Sequence, residues 1–377
     1  MTGASALRAV VVGDGWAGEG HTRALESCAA EVVAICARQP AAVRAAAERL
    51  GVRHASTDWR DTIVSLKPDI VTLATPATLR REVVALAADL GCHLLSEKPL
   101  AVNAAEAEAI YRLAEGAGVR HAYAATHRYD PSVAWLVELL RSGAIGPLQH
   151  IGYTVEASHT GPLTPWTWAD SLALGGGSLN NAFPHMLGIL ATVCGGKLAR
   201  AVGEARVLRR RAPVIPELHD FCQRGSRTPT PVEAERLEWL PCDADRAFSA
   251  LLEFATPDGP LPVTVILNQG AVADPANGLR LTGADDVLTA SGVFSFAVSR
   301  LRPGQPPEPL PVPQRLLDAV PQVGDEFQNK WCALARDFVA SIEGAPHPPY
   351  LTFRDGWRYQ AAIDAIRAGT GWCPLPG

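Results

Sequence analysis

Four stretches of the chain combine residue types and spacings that can do chemistry. Gly13-Asp14-Gly15-Trp16-Ala17-Gly18 follows an apolar run and opens a helical pattern. In such a turn the first glycine permits a tight bend and the second lets the backbone approach a pyrophosphate. The third lets helix and strand pack closely, and the helix N-terminus favours the anion. This predicts a dinucleotide site over Gly13, Asp14, Gly15, Trp16, Ala17 and Gly18; a merely glycine-rich turn is the bland reading. Glu97-Lys98-Pro99 closes a later apolar run. Pro99 biases Lys98 away from helical geometry. A lysine at the carboxyl end of a parallel strand can point into the ligand crevice. There a cation can hydrogen-bond a hydroxyl, stabilise the alkoxide that forms as hydride leaves, and tune a neighbouring base. The competing reading is a surface salt bridge with Glu97. The chain has only four lysines beside thirty arginines, so a lysine in this place draws notice.

The end of the second apolar run bears on which dinucleotide is bound. An NAD site usually carries an acid there to hold the ribose 2′-hydroxyl. Cys36-Ala37-Arg38-Gln39 has none. Ala37 leaves no carboxylate to repel a 2′-phosphate, and Arg38 can pair with one. NADP(H) is therefore favoured, with NAD(H) the alternative if Arg38 is an ordinary solvated arginine. Thr75-Pro76 ends a third run, where ligands lie in such sheets, and is placed near the nicotinamide side. Gly175-Gly176-Gly177-Ser178-Leu179-Asn180-Asn181-Ala182-Phe183-Pro184-His185 is the fourth stretch. Asn181 and His185 are four apart, so one helix face would carry both. Histidine can take or return a proton near neutral pH, and asparagine can orient a hydroxyl. A satisfied core or capping histidine is the bland alternative. Pro184 is awkward inside a helix and points to the first turn.

These residues need elements to hold them. Arg8–Val12, Glu31–Cys36, Asp69–Ala74, Cys92–Ser96 and Val119–Thr126 read as strands buried on both faces of a parallel sheet. Helical patterns alternate with them. Ala41–Leu50 puts Val43, Ala46, Ala47 and Leu50 on one face, and Leu79–Leu90 puts Leu79, Val83, Leu86 and Leu90 on one face. Asn103 and Glu106 read as a capping box, and Asp130-Pro131 as the start of a further helix. Together they predict an α/β Rossmann domain with a doubly wound parallel sheet over residues 1–126. From Leu148 the texture changes to strands at Leu148–Ser158, Ala201–Leu208, Arg246–Phe254, Leu261–Gln269, Leu279–Thr282, Val287–Ser291 and Val293–Val298. With helices at Ser178–Val193 and Phe327–Ile342, an α+β domain with a large, mostly antiparallel sheet is expected over residues 127–349. A last helix in residues 350–377 is expected to return to the first domain.

Composition sets the outer limits. A chain of 377 residues, 47% hydrophobic and 19% charged, can bury a sizeable core. A net charge of −5 argues against coating nucleic acid or an anionic membrane. The eight cysteines form no C-x-x-C pair, so a zinc knuckle, any other metal site and a disulfide framework are not expected. Neither a signal-like start nor an apolar run of 18 residues is present, and a cytoplasmic location is expected. Serine hydrolase, P-loop and zincin patterns are absent.

The ordered set of motifs resembles the Gfo/Idh/MocA family of glucose–fructose oxidoreductase, inositol dehydrogenase and rhizopine catabolism. The residues that carry it are the glycine turn running on to His21, Thr75-Pro76, Glu97-Lys98-Pro99-Leu100, Gly143-Ala144-Ile145-Gly146, the triple glycine with His185, and Phe353-Arg354-Asp355-Gly356. The resemblance implies an open-faced sheet in the second domain, a homo-oligomer (dimer or tetramer), a tightly held nicotinamide cofactor and a sugar, cyclitol or sugar-derived substrate. It carries the family's active-site lysine onto Lys98 and its acid/base histidine onto His185. Asn181 stands where many members have aspartate, and Gly188 where a second aspartate is common. Without that carboxylate, Lys98 or His185 must carry the proton, or alcohol oxidation is slow, or the task differs. Two other tasks are a glycoside-modifying enzyme that uses its NAD(P) transiently and a non-catalytic sensor on the same scaffold. Arg128 is a candidate to hold a substrate carboxylate, phosphate or hydroxyl. Trp166 and Trp168, with His159, are candidates to stack on a sugar ring, although packing or loop anchoring explains each equally well.

Overall fold

The computed structural model describes residues 6–158, 160–216, 218, 224–271 and 277–377. In chain order the first elements are β1 (Arg8–Val12), α1 (Trp16–Glu26), β2 (Glu31–Cys36), α2 (Pro40–Leu50), β3 (His54–Ser56), α3 (Trp59–Leu66), β4 (Ile70–Leu73), α4 (Arg80–Asp89), β5 (His93–Ser96), α5 (Ala104–Gly116) and β6 (His121–Tyr123). There follow α6 (Pro131–Arg141), β7 (Leu148–Glu156), α7 (Ser178–Asn181), α8 (Phe183–Cys194), β8 (Lys197–Arg206), β9 (Arg211–Pro213), α9 (Pro231–Ala234), β10 (Trp239–Pro241), β11 (Ala247–Thr256) and β12 (Gly259–Asn268). The chain continues through β13 (Gly278–Gly283), β14 (Val287–Ser291), β15 (Ala297–Leu301), β16 (Glu308–Pro309), α10 (Gln314–Asp318), α11 (Glu326–Ile342), α12 (Phe353–Ala368) and β17 (Cys373–Pro374).

These elements form two compact units. One is the chain up to Tyr129 together with Asp318–Gln360; the other is Asp130–Leu317 together with Ala361–Gly377. This division differs from the one expected from sequence. The first boundary moves by three residues, and α11 leaves the α+β part for the first unit.

The first unit is the expected doubly wound fold. Its six strands are all parallel in the order β3-β2-β1-β4-β5-β6. The apolar runs form strands because helices can cover both faces of the sheet. Helix boundaries follow local chemistry. Asn103 accepts a hydrogen bond from the Glu106 N–H at the start of α5, and Asp58 caps α3 through Asp61. Gly51, at φ 70°, closes α2 in the left-handed region. Ala9, Val11, Val32, Ile35, Ile70 and Leu95 share one core with Trp331, Cys332, Leu334, Ala335 and Phe338 of α11. One correction concerns α4. Its buried stripe is Arg80, Val83, Val84, Ala87 and Ala88, whereas Leu79 and Leu90 are exposed. The buried face is rotated by about one residue from the leucine face expected, and it places an arginine in the core.

The second unit carries a nine-stranded sheet among the described residues, in the order β16-β15-β14-β13-β7-β12-β11-β8-β17. Only the β7–β12 pair is parallel; the others are antiparallel. Period-two burial along β11 and β12 puts Phe248, Leu252, Phe254, Val263, Val265 and Leu267 in the core. On the other face Leu251 and Ile266 are exposed. The last expected strand, Val293–Val298, lies instead at Ala297–Leu301, because Gly292 at φ 135° begins a turn. The expected helix Ser178–Val193 is broken at Ala182 into α7 and α8, with Pro184 in the first turn of α8, where its missing N–H costs nothing.

Candidate active site

In the first unit the candidate residues gather where β1, β4 and β5 end. Gly13 leaves β1 at φ 127°, and a Cβ there would lie 2.6 Å from the Ala74 carbonyl oxygen. A Cβ on Gly18 would lie 2.0 Å from the Gly13 carbonyl oxygen. Both glycines are therefore required by the protein's own packing. Gly15 is different. A Cβ there meets nothing within 4 Å, yet Gly15 is the N-cap of α1 and offers no side-chain cap. This cradle suits a pyrophosphate held by backbone N–H groups at a helix N-terminus. At the end of β4, Thr75 Oγ1 is buried and finds no hydrogen-bond partner among the described residues. A buried orphan hydroxyl is costly unless something else satisfies it. The residues present thus fit a dinucleotide.

At the end of β2, Ala37 is half-buried and bonded through its N–H to the Ser56 carbonyl, 3.0 Å. Arg38 is exposed and makes no hydrogen bond or ion pair with the described residues. Trp16 is exposed and tilts against Trp331, with ring centroids 4.6 Å apart; Phe327 meets its edge at 5.7 Å. Asp14 and Ala17 are half-buried in the same turn, and Pro76 is exposed.

Glu97 is buried, and its carboxylate is engaged on every side. Trp331 Nε1 donates to Oε1 at 2.9 Å, His21 Nε2 lies 3.3 Å from Oε1, and the Lys98 backbone N–H donates to Oε2 at 3.1 Å. Burial alone would raise its pKa. The hydrogen bond and charge of His21, with the charges of Lys98 and Arg80, outweigh that and hold it below the usual carboxylate value. Glu97 is therefore an internal anchor and not half of a surface salt bridge. Lys98 is half-buried and its peptide to Pro99 is cis. His127 is buried beside Phe327 at 5.6 Å between ring centroids. Burial first, then the charges of Lys330 and Lys98, push it well below the ordinary histidine range. Arg128 is half-buried with its guanidinium over the Tyr129 ring.

In the second unit the triple glycine is shaped by Asp245, Arg367 and Asn180. Asp245 Oδ1 accepts from Arg367 Nη2 at 2.7 Å, and its Oδ2 accepts the Leu179 N–H at 2.8 Å. Asn180 Nδ2 donates to the Gly175 and Gly176 carbonyls. Gly177 sits at φ 101°, and a Cβ there would lie 2.6 Å from Asp245 Oδ1. This loop leads into half-buried Asn181 and then, across the break at Ala182, buried His185, the third residue of α8. The His185 ring meets Phe294 edge-on at 5.8 Å. Asn180 is structural; Asn181 is the asparagine that remains partly accessible. Trp166 donates from Nε1 to the Pro241 carbonyl and is anchored, whereas Trp168 is exposed. Gly188 lies inside α8. His159 and Cys222 lie outside the described residues, and the other seven cysteines are free.

Sequence reasoning missed Arg80, His127 and Lys330. The signal for Arg80 was present: it begins the 80-83-84-87-88 stripe, which has helical period.

Two family models match the chain: an oxidoreductase family with an NAD-binding Rossmann fold over residues 7–125, and the GFO/IDH/MocA C-terminal domain over residues 133–286. The chain belongs to the Gfo/Idh/MocA family. Levoglucosan dehydrogenase of Pseudarthrobacter phenanthrenivorans is 30% identical over 155 residues, which is 41% of this chain and 40% of that one. The NADP(+) D-xylose 1-dehydrogenase 2 of Haloferax volcanii is 33% identical over 119 residues, 32% of this chain and 37% of that one. The chain thus matches about two-fifths of the length of these family members. A solved levoglucosan dehydrogenase, in complex with NADH and levoglucosan, superposes with a TM-score of 0.80 at 20% identity, over 99% of this chain and all of that one. At that identity the likeness establishes the family's fold. No helix among the described residues is long and apolar enough to cross a membrane.

Proposed function

We propose that the protein is an oxidoreductase that prefers NADP(H) and acts on a sugar or cyclitol hydroxyl or ketone. The observation that carries this reading is the convergence of the Gly13–Gly18 turn, the orphan Thr75 hydroxyl and the anchored Glu97-Lys98-Pro99 at the carboxyl ends of the adjacent strands β1, β4 and β5. Ligands bind at such strand ends in doubly wound sheets. The nicotinamide, when bound, supplies or accepts the hydride. The chain does the rest. The backbone around Gly15 holds the pyrophosphate, Thr75 and Pro76 lie against the nicotinamide side, and Arg38 pairs with a 2′-phosphate. Lys98 Nζ donates to the reacting substrate oxygen and stabilises its negative charge. His185 takes the hydroxyl proton in oxidation and returns it in reduction, and Asn181 orients that hydroxyl. Arg128 and Trp168 are candidate substrate contacts. Family relatives named for levoglucosan and D-xylose support a carbohydrate substrate.

The test is a paired fluorescence titration of cofactor-stripped protein with NADPH and NADH, with Arg38→Asp alongside. NADPH should bind tighter, by about tenfold or more, and Arg38→Asp should remove the preference. Equal or tighter NADH binding would overturn the cofactor preference, and binding of neither would overturn the oxidoreductase. A screen with levoglucosan, D-xylose and scyllo-inositol, read at the nicotinamide absorbance, then tests the substrate class.

A further inference from the structure

We propose that Arg80 is the positioning residue for Lys98, holding the Glu97-Lys98-Pro99 tripeptide against the end of β4. The inference rests on the reading of Lys98 as the group that polarises the substrate oxygen. Arg80 is 3% exposed, although arginine is rarely buried unless its donors are occupied. Among the described residues its hydrogen-bond partners are all backbone carbonyls. Nη1 donates to the Glu97 and Pro99 carbonyl oxygens, which flank Lys98. Nε and Nη2 donate to the Thr75 carbonyl at 3.2 and 2.8 Å.

One planar guanidinium therefore ties together two strand ends. Its fixed fork suits such bridging, which a single ammonium cannot reproduce in full. Burial lowers its pKa to about 10, with the charges of Glu97 and Tyr123 opposing that shift, so it is still a cation at neutral pH. The two N–H groups of the segment are also engaged. The Glu97 N–H bonds the Leu73 carbonyl at 2.9 Å, and the Lys98 N–H bonds the Glu97 carboxylate. Lys98 thus leaves a backbone held on both sides, and of these bonds only those from Arg80 reach the carbonyls before and after it, at Glu97 and Pro99. A displacement of about 1 Å in such a group can cost roughly a hundredfold in rate.

The test uses the whole protein and its four lysines. Reductive ¹³C-methylation gives each lysine its own methyl resonance, and Lys98 is assigned from Lys98→Arg. Arg80→Met and Arg80→Gln remove the bridge, and circular dichroism identifies which of them folds. Arg80→Lys keeps a donor long enough to reach the Glu97 and Pro99 carbonyls. In the loss variants the Lys98 resonance should shift or broaden while those of Lys67 and Lys197 stay in place. NADPH affinity should stay within about twofold, and kcat on a sugar that is turned over should fall about a hundredfold with little change in KM. Arg80→Lys should restore the Lys98 resonance and most of kcat. A Lys98 resonance at the wild-type position in a folded loss variant overturns the proposal, as does a Lys variant that behaves like Met. Wild-type turnover by Lys98→Ala would instead overturn the role given to Lys98, and the resonance would still decide what Arg80 does.

Discussion

Lys98 and His185 divide the proposed chemistry between an oxygen to be stabilised and a proton to be moved. Lys98→Ala and His185→Ala should each keep cofactor binding and lose turnover, by about 10²–10⁴-fold for the loss of a general acid or base. Steady-state kinetics beside NADPH titration checks this, and near-wild-type turnover in both would remove them from the site. His127 gives a second residue-scale expectation. Its pKa lies well below the ordinary 6.5 in the folded protein, chiefly through burial. The unfolded chain therefore takes up this proton first as pH falls, so the folded state loses stability as pH drops below about 6.5 toward the folded pKa. In His127→Gln that loss should shrink. Urea unfolding at pH 7 and pH 5 compares the two, and an equal loss in both proteins would show that the pressure comes from elsewhere. Glu97 acts in a more acidic range. Its folded pKa is held below 4.5, so its contribution is present above that value and lost as pH falls further.

At the scale of elements, the glycine turn separates two kinds of requirement. Gly18→Ala forces a methyl group to 2.0 Å from the Gly13 carbonyl, so it should destabilise the fold by about 1–3 kcal/mol or more. Gly15→Ala meets no protein atom and should melt like wild type while binding NADPH less tightly. Thermal melts and titrations on the two variants distinguish these outcomes, and a Gly15→Ala that binds normally would argue against a pyrophosphate there. The same contrast marks what could be read from the sequence. The alternation was legible at β1, β2, β4, β5 and β6 because strands covered on both faces are mostly apolar, whereas β3, the short and largely exposed His54–Ser56, leaves no apolar run; the caps at Asn103 and Asp130 are local chemistry. The loop before His185 was visible as three glycines, but the reason for Gly177, the Asp245–Arg367 pair behind it, depends on residues far along the chain. Trp331 bonding Glu97 across 234 positions leaves no local trace. Arg80 was passed over because arginine ordinarily lies on the surface, and the leucines at 79 and 90 suggested a different buried face.

At the scale of the molecule, the Rossmann unit is built from two separate parts of the chain. Trp331, Leu334 and Phe338 of α11 complete a core begun by Val11, Val32 and Ile35. A fragment ending at Tyr129 should therefore melt without a cooperative transition and bind hydrophobic dyes. The same fragment joined by a linker to residues 318–360 should regain the transition. Calorimetry on both decides it, and a cooperative melt of the short fragment would make α11 an accessory. This arrangement also sets an order of events in time. A ribosome delivers α11 only after all of Asp130–Leu317 has been made. At about 5–20 residues per second, that is a wait of roughly 10–40 s. For that interval the nascent sheet holds an uncovered apolar face outside the ribosome, longer than a collapse or a helix takes to form. Chaperones that occupy such faces would find this chain a client during its synthesis, and its folding yield would depend on them more than its finished stability does.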